Sequence, residues 1–135
     1  MKKLRISFAA FLVVVVGSTV GCGGGPPPAA SPTEMSSKER FGELSELLST
    51  AQIDLNRPPK NLDELKKYRL GGPFAYKAIA DGDIIVYWGA ALGQGSAVVA
   101  YEKAAPTAGG WVLLQDRTFK SMTADEFKAA AKAGG

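Results

Sequence analysis

Few residue types in this chain can do chemistry, and the most reactive of them stands alone. Cys22 is the only cysteine, and the sequence contains no histidine. Without an imidazole, a serine or cysteine nucleophile lacks its usual general base. With a single thiol, neither an internal disulfide nor a zinc site built from cysteine and histidine can form. Carboxylates are left, which in pairs can act as acid and base or nucleophile on a glycosidic bond. Asp63 with Glu64, Asp81 with Asp83, and Asp125 with Glu126 are the pairs near enough in sequence to consider. The first and third open predicted helices, where capping and the helix dipole already account for negative charge. Asp81 and Asp83 flank Gly82 in a turn and lack the further oxygen ligands of a calcium loop. No catalytic, metal-binding or cofactor-binding residues are assigned, and the chain is expected not to be an enzyme.

Three further groups carry possible binding chemistry. Gly93-Gln94-Gly95-Ser96 has the glycines of an anion cradle, but no Lys-Ser or Lys-Thr follows and the segment joins two strands, so a phosphate loop is not expected. Tyr87, Trp88, Tyr101 and Trp111 could line a sugar or peptide groove, although aromatic residues on strands usually pack across the sheet. Lys66, Lys67 and Arg69 gather at the end of a predicted helix, where cations complement the dipole.

A scaffold for these residues begins at Ser36. Ser36 and Glu39 have capping-box spacing, and Phe41, Leu44, Leu47, Leu48, Ala51 and Leu55 make one apolar stripe at helical spacing, with Lys38, Glu43, Glu46 and Gln52 away from it. Pro58 and Pro59 end that helix. Asn61 and Glu64 repeat the cap spacing and predict a short helix over 62–68, and Phe74 to Ala80 adds further helical turns. Strands are expected at 84–88, 97–101, 111–114 and 118–120, with Asp116-Arg117 as a tight turn. Thr123 and Glu126 cap a closing helix that carries Phe127, Ala130 and Ala131 on one side. The fold class is therefore α+β: an N-terminal helix, one or two short helices, an antiparallel meander of about four strands, and a C-terminal helix. A sheet this apolar must be covered on both faces. The long first helix is expected on one, and the short, alanine-rich last helix leaves part of the other free for a partner.

The first 35 residues have a different character. Lys2, Lys3 and Arg5 precede an apolar run of eleven residues, Ile6 to Val16, broken only by Ser7. That is the layout of a secretory signal, and it is short of the roughly 20 apolar residues a membrane span needs. Thr19-Val20-Gly21-Cys22 resembles the lipobox of bacterial lipoproteins, with Gly21 and Cys22 at its last two positions and Thr19 where leucine is commonest. The resemblance implies cleavage between Gly21 and Cys22, a diacylglyceryl group on the Cys22 sulfur and an acyl group on the new amine. Two or three chains at about 0.8 kcal/mol per buried methylene make a durable anchor. Residues 1–21 are then a signal peptide, 22–35 a lipidated cysteine with a Gly/Pro-rich linker, and 36–135 the folded domain. Loss of Lys2, Lys3 and Arg5 removes the formal charge of +3, leaving 13 basic against 13 acidic side chains. That balance argues against a nucleic-acid partner. The implied location is the cell envelope, facing the periplasm or exterior. Gly23, in place of the aspartate that retains such proteins at the inner membrane, favours the outer membrane where one exists.

A second resemblance runs from Gly109 to Thr123. Trp111-Val112-Leu113-Leu114-Gln115-Asp116-Arg117-Thr118-Phe119 is similar to the C-terminal strand-turn-strand of bacterial pilin-like secreted proteins, whose ending is described as H-X9-DG. Pro58-Pro59-Lys60-Asn61-Leu62-Asp63-Glu64-Leu65 is similar to the segment after their first helix. Asp116 matches the motif's aspartate, while Arg117 replaces its glycine and Pro106 its histidine. Together the readings imply a pilin-like head on a lipid anchor. It would bind or scaffold an envelope or secretion-type protein partner; the alternatives are an envelope-polysaccharide enzyme using carboxylates, or a glycan-binding module.

Overall fold

Ser36 starts the first helix as its spacing requires. In the computed structural model, which describes residues 35–134, the Ser36 hydroxyl accepts from the Glu39 N–H and the Glu39 carboxylate accepts from the Ser36 N–H. The expected signal peptide, the cleavage site at Gly21 and Cys22, and the linker to residue 34 lie outside the described residues. Helix α1 spans Ser37–Leu55 and ends at Asn56, which takes a left-handed conformation at φ 52°. Phe41, Leu44, Leu47, Leu48 and Ala51 are buried, as the stripe predicts, while Leu55 is half-buried at the last position of the helix.

The second helix is shorter than its pattern suggests. Helix α2 covers Leu62–Leu65 and tightens into a 3-10 turn over Lys66–Gly71. Asn61 Oδ1 accepts from the Glu64 N–H, but the Glu64 carboxylate turns to Arg57 and the Lys60 N–H, so only half of the expected capping box forms. A guanidinium offering two donors outcompetes one backbone donor for the same carboxylate. Helix α3 follows over Pro73–Asp81.

Four strands form an antiparallel meander in the order β1-β2-β3-β4: Ile84–Val86, Val98–Glu102, Gly110–Leu114 and Phe119–Met122. The first is shorter than its apolar run, and Trp88 falls in the loop beyond it. A one-turn helix α4, Ala105–Ala108, fills the expected turn between β2 and β3, with Pro106 in its first turn where a missing N–H costs nothing. Helix α5 covers Ala124–Ala129, closed by the full Thr123/Glu126 capping box. The fold is α+β.

Register divides the sheet's faces. Val86, Ala100, Leu113 and Phe119 lie in one rung across all four strands and meet Phe41, Leu44, Leu48 and Ala78 from α1 and α3. Ile85, Tyr101, Val112 and Lys120 form the neighbouring rung and face the other way. On that second face Val98, Val112, Leu114 and Met122 are buried with Ala105 and Phe127. Short as it is, α5 thus covers more of the sheet than its alanine content suggests, because one phenylalanine fills the centre. The chain beyond it pairs alongside β2, with the Val98 N–H donating to Ala131 O and the Ala133 N–H to Val98 O, and places Ala133 in the core on the α1 side.

Long-range polar contacts lock the layers. Gln52 Nε2 donates to Leu92 O at 2.8 Å and Gln52 Oε1 accepts from the Leu92 N–H at 2.7 Å. Glu43 on α1 accepts from the N–H groups of Phe74 and Ala75 at the start of α3. Both residues face away from the apolar stripe, as expected, yet instead of water they meet backbone from other elements. Arg117 takes φ 69° in the β3–β4 turn, held by Ser45 Oγ donating to its carbonyl and by its own guanidinium donating to Ser49 Oγ.

Candidate functional site

Of the carboxylate pairs named from sequence, Asp81 and Asp83 border one open cleft and Asp63 and Glu64 another. Asp81 is ion-paired with Lys77 one turn earlier, and Asp83 is exposed at the start of β1. Asp63 is exposed in the first turn of α2. Glu64 is held down to about 2 by the Arg57 guanidinium, with the Lys60 N–H adding to it. Asp125 is exposed near Lys128.

Asp83 and Glu102 line one open cleft with Arg40 and Lys103, and the fold also gathers Glu102 and Glu126. With Trp111 they line an open cleft of about 540 Å³, where the end of β2, the start of β3 and the start of α5 meet. Both are committed to backbone. Glu102 Oε2 accepts from the Trp111 N–H at 2.7 Å, and Glu126 Oε2 from the Thr123 N–H at 2.7 Å. The Thr123 N–H, helped by its hydroxyl, holds the Glu126 carboxyl below its usual range. A general acid needs the opposite shift. Among the described residues no cluster of three or more potential metal ligands occurs.

Gly93-Gln94-Gly95-Ser96 is tied down by its own backbone. The Gly93 N–H donates to Gln115 O at 2.7 Å, and Gly95 O accepts from the Asp116 N–H at 3.0 Å. The segment docks on the β3–β4 turn and begins no helix.

The aromatic residues separate by face. Trp88 and Trp111 are half-buried and pack on the core under α1, with the Trp111 ring centroid 6.2 Å from that of Phe119. Tyr87 and Tyr101 lie on the second face. Their ring centroids are 5.5 Å apart, and Tyr101 lies 4.7 Å from Phe127, so the three rings form a row from the β1 edge to α5. Ile85, paired across the ladder with Tyr101, joins the row at the uncovered end. All but Phe127 are half-buried. Burial, reinforced by the neighbouring Tyr101, raises the Tyr87 hydroxyl above its ordinary pKa, so it remains a neutral donor. Lys132 Nζ sits 4.4 Å from the Phe127 ring centroid and closes the far end. A row of rings with polar tips on a rigid ladder suits contact with a partner that is partly apolar and partly hydrogen-bonding.

Tyr87 and Tyr101 stand out in the sequence, but nothing in it shows that Phe127 packs beside them. Position 127 reads only as a helix core residue, and its contact to Tyr101 spans 26 positions. Cys22, Gly21 and Cys22 as the cleavage pair, and the Gly/Pro-rich linker lie outside the described residues. Among those described, no helix is long and apolar enough to cross a membrane. The chain matches no family model, no curated protein and no solved structure.

Proposed function

We propose that this chain is a cell-envelope lipoprotein, held to a membrane through acylated Cys22, whose domain binds or scaffolds an envelope or secretion-type protein partner without catalysis. The observation that carries the binding reading is the half-buried row Ile85, Tyr87 and Tyr101. It lies on the sheet face away from α1, where α5 covers only the side occupied by Phe127. The lipobox-like Thr19-Val20-Gly21-Cys22 supports the anchor, and Gly23 favours the outer membrane where the cell has one.

Two experiments test the two halves. Mass spectrometry of the mature N-terminus is expected to find acylated Cys22; an unmodified cysteine there removes the anchor. A photo-reactive residue at Tyr87 in the full chain, expressed in cells, is expected to give one discrete protein adduct, weakened by Tyr101→Ala. Adducts absent at Tyr87, or unchanged by Tyr101→Ala, count against docking through this face.

A further inference from the structure

Met35, the first described residue, borders an open cleft of about 220 Å³ with Arg40, Lys77, Asp81 and Asp83. A second open cleft, of about 530 Å³, adjoins the first through Arg40 and Asp83 and runs on to Ile84, Glu102 and Lys103. It bends round the end of the β1–β2 ladder. Ile84 and Glu102, two positions from Val86 and Ala100, are on the α1 side, while Asp83 and Lys103, two positions from Ile85 and Tyr101, are on the other. The two clefts therefore lead from Met35 to the face that carries Ile85, Tyr87 and Tyr101.

Neither sign of charge prevails along this path. Arg40, Lys77 and Lys103 stand among Asp81, Asp83 and Glu102, which favours neither an anion nor a cation. Arg40 Nε is nevertheless buried without a hydrogen-bond partner among the described residues, and a peptide carbonyl would satisfy it. At the end of the path Tyr87 and Tyr101 present half-buried rings 5.5 Å apart, with the Tyr87 hydroxyl kept a neutral donor by burial. Ring faces and donors without net charge suit a neutral segment rich in carbonyl acceptors and poor in N–H groups. Proline in its extended left-handed helix is such a segment, since it makes no internal hydrogen bonds and docks in aromatic-lined grooves.

This chain contains one. Gly23 to Thr33 has no charged residue and includes Pro26, Pro27, Pro28 and Pro32. The seven steps from Pro28 to Met35 span up to roughly 22 Å at 3.1 Å each. Asp83, which shares a cleft with Met35, is four positions of extended chain from Tyr87, about 13 Å at 3.3 Å each. The remaining length is enough to cross the clefts. Because the contact is intramolecular, the segment meets the row at an effective concentration of order millimolar, and weak contacts are sufficient.

We propose that Ile85, Tyr87 and Tyr101 form a polyproline-binding site whose occupant in the isolated protein is Pro26-Pro27-Pro28 of the same chain, led there past Arg40. A partner that uses this face then has to displace the linker. This rests on the row being a docking face, as proposed above, and is independent of acylation at Cys22.

The test compares, by amide NMR, the chain from position 22 carrying Cys22→Ser with one that also carries Pro26→Gly, Pro27→Gly and Pro28→Gly. The signals of Arg40, Ile85, Tyr87 and Tyr101 are expected to differ between the two, and those of Asp116 and Thr118 to coincide. A synthetic peptide of residues 23–34 added to the glycine variant is expected to move the row signals back. In cells, the three glycines should raise the adduct yield of a photo-reactive residue at Tyr87 severalfold. Row signals that coincide in the two chains overturn the contact. Differences confined to Arg40 and Asp83 overturn it too, since the segment then stops short of the rings. Row differences that vanish on dilution, with a doubled mass by ultracentrifugation, put the linker of one copy on another and overturn the intramolecular occupant. An adduct yield unchanged by the glycines overturns the competition. Row differences with no adduct in cells keep this contact and remove the partner, whereas an adduct without row differences keeps the partner and removes this contact.

Discussion

Removal of the Glu43 carboxylate should loosen α3 from a distance of thirty residues in sequence. The first turn of α3 has few free donors. Pro73 has no N–H, and the Tyr76 N–H already bonds to Gly72 O at 2.9 Å. That leaves Phe74 and Ala75, and both donate to Glu43 Oε2, at 3.0 and 3.1 Å. Gly72, at the cap position, has no side chain to replace it. Glu43→Ala therefore strands two part-buried donors at a helix start and removes a negative charge from the positive end of the dipole. Loss of a cap or of a charged hydrogen bond costs about 1–3 kcal/mol, so about 2 kcal/mol is expected. A domain of about 100 residues shifts its Tm by roughly 4–8 °C per kcal/mol, so Glu43→Ala should melt about 8–16 °C below wild type by circular dichroism. Glu43→Gln keeps an acceptor without the charge and should fall between. Hydrogen exchange should show faster amides at Phe74 and Ala75 in the alanine variant. A melting point within about 2 °C of wild type would refute the reasoning, because water would then be capping the helix as well as Glu43 does, and a glutamine variant as unstable as the alanine one would show that a neutral acceptor at this position contributes nothing.

Three further outcomes follow from the packing and charges. Phe127→Ala empties the centre of the second face, and a loss of about 3–5 kcal/mol is expected from urea midpoints, with Tyr101 becoming more exposed to solvent quenchers. Gly109→Ala places a Cβ 2.7 Å from Met122 O on a backbone at φ 78°, so a loss above about 2 kcal/mol is expected by the same assay. The third concerns acid. Glu64 has a folded-state pKa lowered to about 2 from 4.5 by its Arg57 and Lys60 partners. Its contribution is present above the unfolded value and is lost as pH falls from about 4.5 toward 2. Glu64→Gln should therefore flatten the decline of Tm with falling pH in that window; an unchanged slope would show that the ion pair contributes nothing to acid stability.

Local features were legible in the residues themselves. The capping boxes at Ser36/Glu39 and Thr123/Glu126 join groups three positions apart, so spacing alone specifies them. The stripe from Phe41 to Ala51 reads as a buried helix face because helical periodicity maps sequence onto one side. Asn61 and Glu64 show where this stops. Their spacing is right, but Arg57, seven positions before Glu64, takes the carboxylate. Gln52 and Glu43 look like solvent-facing residues on a helical wheel, yet they bind backbone 40 and 31 positions away. No local pattern encodes a hydrogen bond of that range. The acidic pairs read from adjacency border clefts at Asp81/Asp83 and Asp63/Glu64, but so do Glu102 and Glu126, which lie far apart in the chain.

By itself the sequence determined the α+β order of elements, the four-strand meander, the main cap positions and the case for an anchor at Cys22, because each rests on short-range spacing or composition. Tertiary structure alone decided which aromatic rings share a face, that Phe127 is buried on the second face against half-buried Tyr101, and that Leu70 and Ile53 stand exposed. Those outcomes depend on strand register and on how helices settle against a twisted sheet, and both are set by contacts between residues tens of positions apart.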